Sequence, residues 1–473
     1  MMIFFLCVAA LIIGYMTYGK FVDAIFGADP GRPTPAVAMA DGVDFVEMPA
    51  WKIFLVQLLN IAGLGPVFGP ILGALYGPSA LIWIVIGTIF GGAVHDYFSG
   101  MLSIRNNGQS IPDVVGKELG FGFKQFMRVF SIVLLLLVGV VFVLGPAKLL
   151  AKMTGLETGL LVAAIFLYYF LATMLPIDKI IGRLYPLFGA VLIFMAIALP
   201  LALMFKGYNL FPEVTLANLH PKNLPMWPLM FITIACGAIS GFHATQSPLM
   251  ARCVKNERQG RSVFYGAMVC EGFIGLVWAT LGMGFYESST ALQAALAAGG
   301  PASVVNEVAT TLLGGFGGVL AVLGVVVLPI TSGDTAFRAA RLIVADFTSY
   351  TQKPVMNRLF IAVPLFAIGY LISTAEFGVI WRYFGWANQT LAAVVLWTAA
   401  AYLARKGLLH WIATLPAIFM TAVTVTYLAN AKIGFNLPMD YATPIGIAAA
   451  IVATVAFFIF IKGTRAREAH AVS

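Results

Sequence analysis

A chain of 473 residues that is 60% hydrophobic and only 10% charged falls far below the ~25% charged residues of soluble domains. That excludes a soluble fold and implies an all-α integral membrane protein. The net charge of +8 would suggest nucleic acid in a soluble chain, but here it follows from Lys and Arg gathering in cytoplasmic loops, and no nucleic-acid partner is expected. Alternating strands of ~10 residues are absent, against an outer-membrane barrel. Cys7, Cys236, Cys253 and Cys270 lack metal-ligand or disulfide spacing, so no metal site and no cofactor is expected.

Apolar runs of about 20 residues predict about thirteen spans, near 2–25, 51–76, 78–104, 125–147, 159–177, 184–206, 227–250, 262–286, 314–336, 356–374, 377–404, 409–429 and 443–462. The first has no basic stretch before its apolar run, and its first cation is Lys20, so it reads as a retained helix rather than a cleaved signal. The second is interrupted by Gly63-Leu64-Gly65-Pro66, and the span at 227–250 is interrupted from Gly237 to Pro248. A helix in lipid must satisfy its own backbone hydrogen bonds, so a break is tolerated only inside protein or beside a water-filled cavity. Paired breaks in corresponding halves point to a carrier's substrate site.

At the first break, Pro66 suits a first helical turn. The N–H groups of Val67, Phe68 and Gly69 are expected to be free to hold a carboxylate at the positive end of the outer half-helix. Gly63 and Gly65 would let that ligand approach the backbone, and the carbonyls of Asn60 to Ala62 would face the same gap as a cation site. The second break supplies Ser240, His243, Thr245 and Gln246, a polar set for substrate oxygens with one imidazole that titrates between about pH 5 and 8.

Between and beyond the breaks lie acids. Asp96, beside His95, is near the inner end of 78–104. Glu271 lies about 14 Å into 262–286 at ~1.5 Å per residue, a depth at which an acid is a functional candidate. The stretch 288–312 is too short and polar to span and reads as an amphipathic helix outside the bilayer. In 314–336, Thr331, Ser332 and Asp334 follow Pro329, offering hydroxyls to a cation and a carboxylate to a proton. Gly87 and Gly91 read as helix packing, and Trp381, Tyr383, Trp386, Asn388 and Gln389 as a gate or an interfacial anchor. The Gly63/Gly65/Gly69 spacing fails as a nucleotide loop, and no Walker lysine, HExxH or GxSxG motif appears. Neither an ATP-driven pump nor an enzyme is expected.

Assigned by position, 22 of the 28 cations fall on one side, against Lys148, Lys152, Lys206, Lys222, Arg382 and Lys432 on the other. This places the C-terminus in the cytoplasm and, with an odd helix count, the N-terminus outside. The loop 27–50 is rich in Asp and Glu, but acids carry little topological weight. The two broken helices then run in opposite directions. They open two inverted five-helix units, 51–206 and 227–404, the LeuT-like 5+5 architecture. The segment 1–50 precedes them as an extra helix and cytoplasmic loop, 288–312 serves as an external helix, and two helices with a cytoplasmic tail follow over 409–473.

Several stretches resemble the carbon starvation protein A (CstA) family. They are Arg32-Pro33-Thr34-Pro35-Ala36 with Asp41-Gly42-Val43-Asp44-Phe45, the run from Asn60 to Pro70, Gly92-Ala93-Val94-His95-Asp96 with Ser103-Ile104-Arg105, Gly241 to Gln246, and Ser332 to Arg338. The resemblance implies a bacterial inner-membrane symporter, with membrane lipid around it, that imports peptides or pyruvate during carbon starvation with a proton. Asp334 is favoured as the proton carrier, with His243, Glu271 and Asp96 as further candidates. Alternatives are a sodium-coupled carboxylate or amino-acid symporter using Thr331 and Ser332, a channel, or a non-transporting metabolite sensor. The chain is shorter than many members, with one helix before the Arg-Pro-Thr-Pro loop.

Overall fold

The computed structural model describes residues 2–175, 181–208, 215–286 and 288–472, and their regular structure is helical. Lys179, one of the counted cations, lies outside them. A first span is made by α1 (Met2–Met16) and α2 (Tyr18–Phe26), followed by a short α3 (Pro35–Ala38). The first broken helix is α4 (Ala50–Ile61) and α5 (Gly65–Gly73), bent by 51° at the break. Then come α6 (Ser79–Ile86), a wide i→i+5 turn at Gly87–Gly92, α7 (Ala93–Arg105), α8 (Ile111–Leu119), α9 (Phe121–Thr154), α10 (Thr158–Met174) and α11 (Ile181–Phe205). The second broken helix is α12 (Leu229–Thr233) and α13 (Phe242–Ala251). It leads to α14 (Gly266–Phe285), α15 (Ser289–Val322), α16 (Leu328–Thr348), α17 (Val355–Ile372), α18 (Phe377–Arg405), α19 (Trp411–Asn430) and α20 (Met439–Val472).

Among the described residues, ten helices are long and apolar enough to cross a bilayer, or eleven if α4 and α5 make one span. That is fewer than the about thirteen apolar runs, for local reasons. The α10 helix is only 17 residues long, the second break leaves five residues in α12, and α16 carries too many polar side chains. The run Ser289–Leu320 qualifies instead, although 288–312 is too polar by sequence. It is three helical stretches, since Gly300 and Gly314 have non-helical dihedrals. The helix expected at 314–336 therefore starts at the Gly314 break and continues through α16 to Thr348.

Hydrogen bonds sort the loops into two ends. At one, Ser289 Oγ donates to Leu219 O at 2.9 Å and Lys206 Nζ to Thr311 O at 2.6 Å, tying the 288–312 stretch to the loops after α11. At the other, ion pairs join cation-rich loops: Arg105 with Glu257 at 3.0 Å, Arg405 with Glu118 at 3.2 Å, Lys255 with Glu47 at 3.0 Å and Arg338 with Asp44 at 3.3 Å.

In the centre the two broken helices lie across each other. A Cβ on Gly65 would overlap the Cys236 side chain, and one on Gly69 would press on the Thr233 carbonyl. Around them α14 packs on α5 and α4, and α13 packs on α7 and α4. On the outside, Phe360, Leu371, Ile451, Val452 and Ile459 are exposed. Apolar exposure on that scale is what a bilayer covers.

Candidate functional site

The second break unwinds over 234–241, earlier than expected. Gly237 supplies the positive φ, +88°, that a side chain would disfavour. Helix α13 begins at Phe242, so His243, Thr245 and Gln246 stand on its first turns rather than in extended chain, and Pro248 lies within it. Side chains satisfy the freed carbonyls, as the bilayer interior demands. Trp83 Nε1 donates to Ile234 O at 3.0 Å and Thr88 Oγ1 to Gly237 O at 2.9 Å. From α18, Asn388 Oδ1 accepts from Ser240 Oγ at 3.0 Å and from the Phe242 N–H at 2.6 Å, while Gln389 Nε2 donates to Phe231 O at 3.0 Å.

Beside this break three helices bring four ionisable groups together, all fully buried: His95 and Asp96 of α7, His243 of α13 and Glu271 of α14. His95 Nδ1 lies 2.7 Å from Asp96 Oδ1, and His243 Nδ1 lies 2.9 Å from Asp96 Oδ2. An ionised Asp96 accepts from both rings, which places a proton on each Nδ1. The far nitrogen of His243, Nε2, then faces Glu271 Oε2 at 3.5 Å. Among the described residues, neither it nor either Glu271 oxygen makes a hydrogen bond of good geometry. Cys236 Sγ completes the group, the ligand-type atoms of Cys236, His243 and Glu271 lying within 4.8 Å of one another. That spacing is close enough for a metal ion as well as for a shared proton.

Buried amide atoms without a partner flank both breaks: Asn60 Oδ1 and Nδ2, Gln246 Oε1 and Asn388 Nδ2. Among the described residues each is a donor or acceptor with unused hydrogen-bonding capacity, and an unpaired buried polar atom is costly. Gln57 Nε2 links α4 to α13 through Ser247 Oγ at 3.3 Å.

At the first break the expected anion nest is already filled. Leu64 adopts helical dihedrals, so α5 effectively starts one residue earlier. Its carbonyl accepts from Val67 N at 3.3 Å and Phe68 N at 2.8 Å. The space above Gly63 and Gly65 is taken by Phe142 and Cys236, so it is protein that makes the close approach these glycines allow. Ser332 does reach this break, its hydroxyl donating to Leu59 O at 2.8 Å. Thr331 Oγ1 turns back to Leu328 O at 2.7 Å, and Thr245 Oγ1 likewise to Phe242 O at 2.6 Å. Asp334, about 200° around the helix from Ser332, accepts from the Tyr168 hydroxyl of α10 at 3.1 Å. The structure thus gathers His243, Glu271 and Asp96 with Ser240 close by, and sends Asp334 elsewhere. From sequence alone, Asn60 had a role only through its backbone carbonyl, Asn388 one as a gate or anchor, and Cys236 none. The readable signal was a polar residue isolated in an apolar span.

The family model described as carbon starvation protein CstA matches residues 1–151, 143–289 and 285–427. An uncharacterized membrane protein of Haemophilus influenzae is 49% identical over 352 residues, which cover 63% of this chain and 95% of that protein. A peptide transporter CstA of Bacillus subtilis is 25% identical over 571 residues, covering 97% and 95%. The pyruvate/proton symporter BtsT of Escherichia coli is 28% identical over 340 residues, covering 57% of this chain and 47% of its own. Among solved structures, a manganese transporter of Eremococcus coleocola superposes with a TM-score of 0.60 at 12% identity, covering 91% of this chain and 99% of that one. A Na+-coupled sialic acid symporter does so with 0.55 at 13%, covering 97% and 96%. At these identities the likeness is one of fold, that of LeuT-like transporters. Family match, paired breaks and buried polar centre agree: the chain belongs to the carbon starvation protein CstA family, multi-pass membrane transporters rather than enzymes.

Proposed function

We propose that this protein is a secondary-active proton symporter of the bacterial inner membrane that imports peptides or pyruvate during carbon starvation. The two broken helices open inverted units, 51–206 and 227–404, and the substrate sits where they cross. The observation that carries the coupling is the Asp96–His243–Glu271 chain, a continuous ionisable path across three helices with no solvent exposure. With His243 protonated between two carboxylates, the cluster holds one uncompensated negative charge. One more proton, placed on Glu271, makes it neutral. A bare buried charge costs several kcal/mol, so the occluded carrier closes with that proton aboard and releases it when the centre opens to the cytoplasm. Asn60, Gln246 and Asn388 offer the substrate its hydrogen bonds.

Reconstituted vesicles test this. Glu271→Gln imitates the protonated acid, so it should keep exchange of labelled substrate but lose accumulation driven by a pH gradient. Asp334→Asn should still accumulate. The opposite pattern would move the proton to Asp334. Counterflow also separates the classes, since a channel shows no exchange and a sensor moves nothing. Sodium is the second reading, favoured by the Ser332 hydroxyl at Leu59 O beside the unpartnered Asn60 amide. Sodium-dependent uptake that survives collapse of the proton gradient would replace the first reading with it.

A further inference from the structure

Two cavities adjoin at the cation-rich end of α18. One, of about 300 Å³, is lined by Arg32, Arg105, Lys117, Arg405 and Lys406, with Glu118 among them. The other, of about 340 Å³, is apolar, a groove formed by Leu119, Phe123, Val394, Trp397, Ala456 and Phe460. Glu118 and Leu119 are consecutive, one lining each cavity. On α18, Val394 and Arg405 are separated by about 20° of rotation and ~16 Å of rise, so the groove leads into the basic pocket along one face of the helix.

The pocket is built from cations of several elements. Neutral oxygens hold its cations alongside carboxylates: Lys117 Nζ is held by Asn106 Oδ1 at 2.7 Å, Arg105 Nη1 by the Tyr402 hydroxyl at 2.8 Å, and Arg105 Nη2 by Gly27 O at 2.7 Å. Arg405 Nη1 reaches Lys117 O at 3.4 Å and Glu118 Oε2 at 3.2 Å. Glu257 pairs with Arg105 at 3.0 Å and lies 3.9 Å from Arg32. Among the described residues, then, five cations and the two carboxylates Glu118 and Glu257 meet at this pocket. The groove, by contrast, opens on the outside of the bundle among exposed Phe121, Phe123, Val455 and Ile459.

We propose that this pair of cavities is a binding site for an anionic phospholipid, with the phosphate in the basic pocket and an acyl chain along α18 and α20. A soluble phosphate would fill the pocket and leave the groove empty, and a neutral lipid would do the reverse. Only an amphipathic anion uses both, and basic pockets between helices at the cytoplasmic surface are the places where such headgroups bind. The choice of leaflet rests on the orientation read from the cation bias: the inner leaflet, where anionic headgroups are within reach of these side chains.

Native mass spectrometry of the delipidated full-length protein tests the proposal, with phosphatidylglycerol and phosphatidylcholine of identical chains offered in competition. Phosphatidylglycerol should be retained in preference. Lys406→Gln, on the exposed surface, should weaken its retention roughly fivefold while leaving phosphatidylcholine unchanged. Ala456→Trp, which fills the groove, should lower retention of both lipids. An unchanged thermal unfolding midpoint shows that each variant is folded. Equal retention of the two lipids, or indifference to Lys406→Gln, overturns the site. Displacement of phosphatidylglycerol by an equal concentration of glycerol 3-phosphate would instead make the pocket a soluble-phosphate site and sink the lipid assignment.

Discussion

Gly65 and Cys236 show how single residues set the centre. The first break has no room for a Cβ at Gly65 because the Cys236 side chain lies against it, so Gly65→Ala overpacks a contact between the two broken helices. The expected cost is about 1–3 kcal/mol, read as a lowered thermal midpoint together with lost uptake. Cys236→Gly in the same chain should restore part of both, because the two residues share one contact and their effects will not add. Additive losses would mean that Gly65 is needed for backbone conformation instead. The glycines and Pro66 were legible in the sequence as a break, and so were His243, Glu271 and Asp96 as candidate groups. Their neighbours were not. Cys236 reads as one more apolar-span cysteine until the fold lays it on Gly65. The anion nest at Val67 and Phe68 failed because helical dihedrals at Leu64, which no composition reveals, turn its carbonyl onto those amides.

At the scale of elements, two of the sequence motifs turn out to be one device. Asp41 Oδ1 accepts from the N–H groups of Val43, Asp44 and Phe45 at 2.8, 3.0 and 2.9 Å, an Asx-type turn that presents Asp44 to α16. There the buried Asp44 meets Arg338 at 3.3 Å and Arg341 at 3.7 Å. Arg338 Nη2 also donates to Ala172 O at 2.7 Å and Leu175 O at 2.8 Å at the end of α10. The loop before the first broken helix thus pins α16 and α10 at the cation-rich end. Burial pushes the Asp44 carboxyl up, but Arg341, Arg338 and Arg252 outweigh it and hold it below its ordinary value of 3.8. A depressed carboxylate contributes its stability above the ordinary value and loses it only as pH falls through the depressed one. The pin is therefore constant through neutral pH, and any pH dependence of uptake there arises elsewhere. Asp44→Asn leaves two buried guanidiniums short of their counter-charge, at a cost of about 3–5 kcal/mol. A cysteine placed at the buried Ala345, near the end of α16, should then react faster with a thiol reagent. An unchanged rate would show that the loop does not hold this end shut. Neither motif disclosed the pairing, since the residues that meet are almost three hundred positions apart.

For the whole molecule, which cation-bearing loops share an end was more legible than the number of spans. Cation-bearing loops assigned to one side do converge at one end, through the Arg105–Glu257, Arg405–Glu118 and Arg338–Asp44 pairs. The count suffers because the halves of a broken helix are each too short to register: α12 has five residues and α13 ten. Crossing as a pair, they would act as one span, and α4 with α5 would act as another. Orientation and count can be tested together. Ala40, Asn436 and Gly463 are all exposed, and cysteines there can be probed with an impermeant thiol reagent on intact cells and on inverted vesicles. Asn436→Cys should label only from outside and Gly463→Cys only from the cytoplasm, with α20 between them. Ala40→Cys should label with Gly463→Cys, because both broken helices crossing fully leaves an even number of spans between the two positions. If Ala40→Cys labels instead with Asn436→Cys, the parity is odd. One broken segment then enters and leaves on the same face, and the two halves are not inverted copies. Reversal of all three signals would keep the repeats and turn the carrier over. That would carry the Asp44 pin and the basic pocket to the outer surface, where the cation bias argues against them.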